Sequence, residues 1–246
     1  MGITWILHET SHAGNVGSAA RAIKTMGFDD LILVKPKIPE VLQSPEAIAL
    51  ASGADDVLAK THITEDLAKA CGSNALVFGL SARDREFGPP NITLKEACSL
   101  AKDAIAQNTS CAFLFGTERT GLSNEDFHFC SHRVWIDANP LYSSLNLAQA
   151  VMVCAYEMRQ TLISNNQLLS EPSLTNRAPM KDVIALMEHL TEGLEAIEFL
   201  NPKHPKKLMD RIRHLFDRAG LQNEEVLLLR GVAKQMLLAR NKTFKL

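Results

Sequence analysis

Apolar residues along the chain fall into short continuous runs, separated by longer stretches in which they recur every three to four positions. The runs at residues 4–7, 31–34, 75–79, 112–115 and 134–136 are short and uninterrupted, and they predict strands buried on both faces. Between them, residues 16–26, 46–51, 65–70, 93–107 and 124–127 have helical spacing, and another helix runs on from Leu145. Gly27 follows the first of these helices as a natural C′ residue. Pro36, Pro39 and Pro45 punctuate one connection, and residues 81–90 form a charged loop. Strand alternating with helix predicts an α/β fold on a largely parallel sheet.

The pattern changes after residue 163. Residues 164–178 are polar, carry Pro172, and predict a linker. Residues 180–200, 206–218 and 223–239 then show three amphipathic periods. The expected organisation is a sheet domain over residues 1–163 and a small all-α domain over 179–246, with no internal repeat.

Composition fits a globular protein: of 246 residues, 46% are hydrophobic and 22% charged, which argues against wholesale disorder. Cys71, Cys98, Cys111, Cys130 and Cys154 are odd in number and scattered, with no C-x-x-C pair and no metal-ligand spacing, so reduced thiols and no metal are expected. With no basic leader and no bilayer-length apolar run, a cytoplasmic protein without a membrane partner is expected. The net charge of −2 conceals an asymmetry, because from Asn201 onward eleven basic residues face four acidic ones. A basic tail on an acidic body suits a polyanionic partner, although a solvated helical face would read the same.

Three loops after strands carry the polar chemistry. Gly14, Gly17 and Arg21 open the first helix with a G-x-x-G, not the glycine fingerprint of a dinucleotide fold, and no acidic residue placed for a ribose ends the second strand. The small residues would let a ligand approach the backbone, and Arg21 offers either a phosphate fork or a structural ion pair. Residues 116–121, with glycine at both ends and Glu118 central, predict either a nest of N–H groups or a tight turn. The third stretch breaks at Asn139-Pro140 and re-enters a helix with Ser143 and Ser144 as candidate N-caps. A loop leaving a strand for a helix N-terminus is where open α/β sheets bind ligands.

Together these loops resemble the three ordered motifs of the SPOUT class of RNA methyltransferases: N-x-G-x-x-x-R at Asn15, Gly17 and Arg21, F-G-x-E-x-x-G-L at residues 115–122, and S-L-N at residues 144–146. H-E-T-S-H-x-G-N at residues 8–15, S-A-R at 81–83, A-N-P-x-Y-S-S-L-N at 138–146 and the helical tail are similar to the bacterial tRNA (cytidine/uridine-2′-O-)-methyltransferases that modify nucleotide 32 of the anticodon loop. The resemblance implies a deep trefoil knot, S-adenosylmethionine as cofactor, and a homodimer with active sites at the subunit interface. It implies cofactor contacts at Leu80, Ser81, Ala82, Gly116, Ile136, Ser143, Ser144 and Leu145, and a catalytic neighbourhood of Asn15, Arg21, Glu118, Ser144 and Asn146. The partner would be tRNA and not DNA, held by Arg21, Arg83, Arg85, Lys206, Lys207, Arg211 and Arg213. A ribosomal-RNA enzyme with the same motifs, and a non-catalytic RNA-binding protein on the same fold, remain alternative readings.

A guanidinium has no free lone pair to act as a base, so Arg21 is expected to grip a phosphate and stabilise a developing 2′-oxyanion, leaving the deprotonating group unassigned. His8 and His12 flank the first motif and either touch RNA or have no ligand role. Tyr142 is a candidate for base stacking or partner packing. Trp5 and Trp135 are expected in the core.

Overall fold

The structure is a computed structural model that describes residues 2–83, 87–163 and 176–243. Seven parallel strands form one sheet: β1 (Ile3–His8), β2 (Leu31–Val34), β3 (His62–Thr64), β4 (Leu76–Leu80), β5 (Asn91–Thr93), β6 (Cys111–Phe115) and β7 (His132–Trp135). Their spatial order is β3-β2-β1-β6-β4-β7-β5. All five expected strands are present to within about two residues. The short edge strands β3 and β5 lack an apolar run because their residues are largely exposed, and periodicity therefore passed over them.

Side chains alternate across the sheet with the strand period of two. Trp5, Leu7, Phe78, Phe113 and Phe115 face one layer, built from α1 (Ala13–Thr25), α2 (Pro45–Ala51), α3 (Asp55–Lys60), α5 (Leu94–Ala106) and α6 (Leu147–Ile163). Ile6, Val77, Ala112 and Leu114 face the other layer, where α4 (Leu67–Cys71) and a 3₁₀ turn (Asp126–Phe129) are joined by α7 (Met180–Ala196). The short helix expected at 124–127 is this 3₁₀ turn, displaced by two residues to 126–129.

The C-terminal helices α7, α8 (Leu208–Ala219) and α9 (Asn223–Thr243) therefore do not hang beside the sheet. Met180, Val183 and Leu186 share a core with Ile6, Val77 and Leu114, because a parallel sheet with a bare apolar face needs a second layer. Most of the expected linker, residues 164–175, lies outside the described residues.

Three local expectations need correction. The first helix begins at Ala13, so Asn15 is helical and not in a loop. The helix after Pro140 begins at Leu147, capped by Asn146, whose Oδ1 accepts from Ala148 N at 2.9 Å and Gln149 N at 3.4 Å; Ser143 and Ser144 lie upstream of that cap. Trp5 is fully buried, but Trp135 is 37% exposed where it closes β7 at the loop edge. On α6, Tyr156 is exposed. All five cysteines are buried and free. Among the described residues no helix is long and apolar enough to cross a membrane, and no cluster of His, Cys, Asp and Glu could hold a metal.

Candidate active site

The three motif loops meet at the carboxyl edge of β1, β6 and β7. Gly116 allows the second to fold tightly: a Cβ there would lie 2.3 Å from the Gly121 carbonyl carbon and the Leu122 nitrogen. With Gly121 at φ +67° and its N–H donating to Thr117 O at 2.9 Å, residues 117–121 form a tight turn that projects Glu118 sideways.

Glu118 collects donors from the loop after β1. Its Oε1 accepts from Thr10 Oγ1 at 2.8 Å and Asn15 Nδ2 at 3.0 Å, and its Oε2 from Ser11 Oγ at 2.9 Å and Ser11 N at 3.1 Å. Burial alone would raise its pKa, but bonds from Asn15, Thr10 and backbone N–H groups outweigh that and hold the carboxyl at about 2. The carboxylate also supplies negative charge near the N-terminus of α1, whose first turn has no acidic residue of its own.

Asn15 continues the network. Its Oδ1 accepts from Asn146 Nδ2 at 3.0 Å, while Asn146 Oδ1 caps α6. The direction of both amides is fixed from the two ends: Glu118 can only accept, and the first N–H groups of α6 can only donate. One relay thus runs from Glu118 through Asn15 and Asn146 into the α6 cap and joins all three motifs.

Beside this relay lies a cavity of about 270 Å³. All eight residues expected at the cofactor line it: Leu80, Ser81, Ala82, Gly116, Ile136, Ser143, Ser144 and Leu145. Val134, Phe115 and Leu147 add apolar wall, and Glu118 and Thr117 stand at its edge. An apolar slot fringed by hydroxyls and backbone suits a nucleoside. A second cavity of about 750 Å³ adjoins it across Arg83, Thr117, Thr120 and Gly121 and is lined by charges of both signs, including Glu9, Lys35 and Glu65. Its outline escaped the sequence because these residues come from separate strand ends.

The expected ligand approach at the first-loop glycines is not what they provide. A Cβ on Gly17 would lie 2.0 Å from Ala47 O, and one on Gly14 2.6 Å from Glu46 Oε1, so both let α1 close on α2. Arg21 is exposed on the third residue of an i, i+3 stripe with Asn15 and Ser18, and no side-chain partner is recorded for it among the described residues. His8 is buried with Nε2 3.2 Å from Asp126 Oδ1, a structural pairing at the wall of the second cavity. Burial would raise Asp126, but the bonds from His8 and Ser123 hold its carboxyl at about 2. His12 is open, with Nδ1 3.0 Å from Ser11 Oγ and 3.7 Å from Glu118 Oε1.

Of the expected RNA contacts, Arg83 is exposed and lines both cavities, and Arg85 lies outside the described residues. Lys206 and Arg211 are exposed. Lys207 is exposed and sits 4.3 Å over the Phe87 ring. Arg213 is corrected: it is 5% exposed, donates to Asp217 Oδ1 at 3.0 Å and touches Met180 Sδ, because position 213 falls on the inner face of α8. Next to it, His214 Nδ1 donates to Gly88 O, so α8 holds the same loop that carries Ser81, Ala82 and Arg83. Neither that grip nor the donors Thr10 and Ser11 were assigned from sequence; only the H-E-T-S-H run hinted at them.

Comparison with known proteins places the chain among described relatives. Residues 2–156 match the SpoU rRNA Methylase family, and residues 181–244 match the C-terminal domain described for the tRNA methyltransferase TrmJ. The tRNA (cytidine/uridine-2′-O-)-methyltransferase TrmJ of Escherichia coli (strain K12) is 43% identical over 229 residues, 92% of either chain. The crystal structure of TrmJ from Z. mobilis ZM4 superimposes with a TM-score of 0.80 at 30% identity, covering 95% of this chain and 98% of that one. A probable methyltransferase from Bordetella pertussis Tohama I is 45% identical with a TM-score of 0.63, covering 66% of this chain and 96% of its own.

Proposed function

We infer the function from one premise, that the chain belongs to the SpoU rRNA Methylase family: it is an S-adenosylmethionine-dependent methyltransferase acting on a ribose 2′-OH of tRNA. The observation that carries the reading is the Glu118–Asn15–Asn146 relay at the edge of a cavity lined by every residue expected at the cofactor. The likeness over 92% of the Escherichia coli relative's length, C-terminal helices included, favours tRNA over ribosomal RNA. Cytidine or uridine at nucleotide 32 of the anticodon loop is the substrate we assign.

The residues fit such a cofactor: Leu80, Val134, Ile136, Leu145 and Leu147 can cover a purine face, with Ser81, Ser143 and Ser144 for its polar edges. When bound, it supplies a methyl group already activated on a sulfonium, so no metal is required. The chain's task is then positioning, and aligning two reactants can contribute about 7–11 kcal/mol at best. The relay holds the 143–146 loop against the start of α1, fixing one wall of the cavity. Arg21 grips the phosphate beside the target ribose and stabilises charge developing on its 2′-oxygen.

The enzyme works as a cytoplasmic homodimer. Supporting this, Leu141 and Tyr142 are 94% and 79% exposed beside the third motif, and Val153, Tyr156 and Ile163 form an exposed apolar stripe on α6. The strand order, with β6 between β1 and β4 and β7 between β4 and β5, is compatible with a trefoil knot in this half of the sheet.

The test is transfer of labelled methyl from S-adenosylmethionine to unmodified total tRNA, with ribosomal RNA alongside and the product mapped. A ribose methyl at nucleotide 32 is expected. Label only on ribosomal RNA would overturn the substrate, and absence of cofactor binding would leave a non-catalytic RNA-binding protein.

A further inference from the structure

The relay holds a carboxylate and the helix stripe a guanidinium, and neither is suited to take the proton of a ribose hydroxyl. Glu118, held at about 2, is a weak base, and Arg21 carries no free lone pair. The hydrogen bonds around Ser11 single out a different group. Ser11 has one hydroxyl hydrogen, and its 2.9 Å contact with Glu118 Oε2 must use it, because a carboxylate cannot donate. Toward His12, 3.0 Å away, Ser11 Oγ can therefore only accept. In the neutral imidazole the hydrogen then sits on Nδ1, and Nε2 is left with its lone pair.

We propose that His12 is the general base of the reaction, set in its Nδ1–H tautomer by Glu118 through the Ser11 hydroxyl; this rests on the methyl transfer assigned above. The base is oriented by a second group and fixed in tautomer by a carboxylate, here with a hydroxyl in between. The His12 side chain is 69% exposed, so Nε2 is open to a substrate, while Glu118 next to it lines the cavity. In the step, the 2′-O–H proton passes to His12 Nε2 while the 2′-oxygen forms its bond to the methyl carbon. The C–S bond breaks with its electron pair going to sulfur, which becomes a neutral thioether as the imidazole becomes an imidazolium. The positive charge thus moves from sulfur to a ring that faces Glu118 across Ser11. The other charged groups around the first turn of α1 are Glu46, from α2 beside Gly14, and Arg21, two turns along the helix.

Two measurements test this. The first is independent of activity: nitrogen-15 NMR of the histidine rings in the full-length protein, with His12 identified by its loss in His12→Gln. His12 is expected with hydrogen on Nδ1 and a bare Nε2, moving to a mixture in Ser11→Ala. An Nε2–H tautomer in the wild type would overturn the proposal. The second is the single-turnover rate on tRNA. His12→Ala is expected to fall by about 10²–10⁴-fold, the usual range for loss of a positioned base, with cofactor and tRNA Kd within about threefold, and added imidazole should restore part of the rate. A rate within threefold of wild type, or a loss confined to tRNA affinity, would refute the role. If wild type methylates tRNA and His12→Ala does so equally, only the base assignment fails; if wild type transfers no methyl, the functional reading fails and the base assignment with it.

Discussion

Replacing Glu118 by glutamine keeps the shape of the side chain and changes only what its two terminal atoms can do. Four donors point at the carboxylate: the Thr10 and Ser11 hydroxyls, the Asn15 amide and the Ser11 backbone N–H. An amide has one oxygen, so its NH₂ must face either Asn15 Nδ2 or Ser11 N, neither of which accepts. Asn15 could flip, but its nitrogen would then face Asn146 Nδ2, and Asn146 could flip only by abandoning the α6 cap. Leaving such a donor unmatched, part-buried at Asn15 and exposed at Ser11, costs at most about 1–3 kcal/mol. The depressed pKa, from 4.5 to about 2, points the same way, although solvent around this partly buried carboxylate screens the shift and leaves less than its full value as stability. Because the folded pKa is depressed, that stabilisation is fully present above the unfolded value near 4.5 and fades as pH falls towards about 2. Glu118→Gln should therefore unfold roughly 2–12 °C lower at neutral pH, given about 2–4 °C per kcal/mol for a chain of this size. Its stability should also fall less steeply than that of wild type between pH 5 and 3, on the scale of this one titration. Methyl transfer should drop at least about tenfold, since 1.4 kcal/mol in the transition state is already that factor. Thermal unfolding across pH and single-turnover transfer are the assays. A variant that melts and reacts like wild type would refute the directional relay.

Arg21→Lys should bind tRNA and S-adenosylmethionine with Kd within about threefold but lose most turnover, because an ammonium cannot reproduce the planar fork; near-normal kcat would remove Arg21 from the chemistry. Gly17→Ala places a methyl against the Ala47 carbonyl and should cost about 1–3 kcal/mol in a urea titration, as overpacking does. Tyr156→Glu on the exposed α6 stripe should shift the protein from dimer to monomer in light scattering, with loss of transfer. His214→Ala should weaken cofactor binding about 3–10-fold by freeing the 87–88 segment, as loss of one hydrogen bond predicts; His214→Asn, whose Nδ2 overlays the ring Nδ1, should restore it by calorimetry.

The central strands and the helices between them were legible because continuous apolar runs report burial on both faces directly. Strands β3 and β5 were hidden, since edge strands of three residues with exposed side chains carry no such run. The motif residues were legible as chemistry, but not the reason for each. Gly14 and Gly17 look like a ligand approach in sequence, whereas only the position of Ala47 and Glu46, some thirty residues on, shows that they serve helix packing. Arg213 and Arg211 are alike in a charge count, and what separates them is which side of α8 meets Met180. Asn146 as the cap of α6, in place of either serine, depended on where the helix axis begins. The tail's role in covering the sheet was equally out of reach, because an amphipathic period says that a face is buried but not against what.

The charges at the site divide into those that stay fixed and one that can move. Glu118 remains ionised throughout the neutral range and Arg21 adds a guanidinium, so together they form a constant electrostatic frame. Methyl transfer from a sulfonium creates no net charge: one positive charge leaves sulfur and, when the hydroxyl proton is taken up by a ring, one appears there. A frame that must serve both states gains nothing from titrating itself. It is better built from groups whose protonation is locked, and four donors on Glu118 accomplish that locking. The imidazole beside Ser11 is then the mobile element, since histidine is the side-chain type that exchanges a proton near neutrality. The same argument accounts for the length of the relay. A carboxylate in direct contact with the ring would orient it equally well, but Ser11 in between lets one Glu118 fix the tautomer of His12 and the direction of Asn15 at once, so that the base and the cavity wall are set by the same residue.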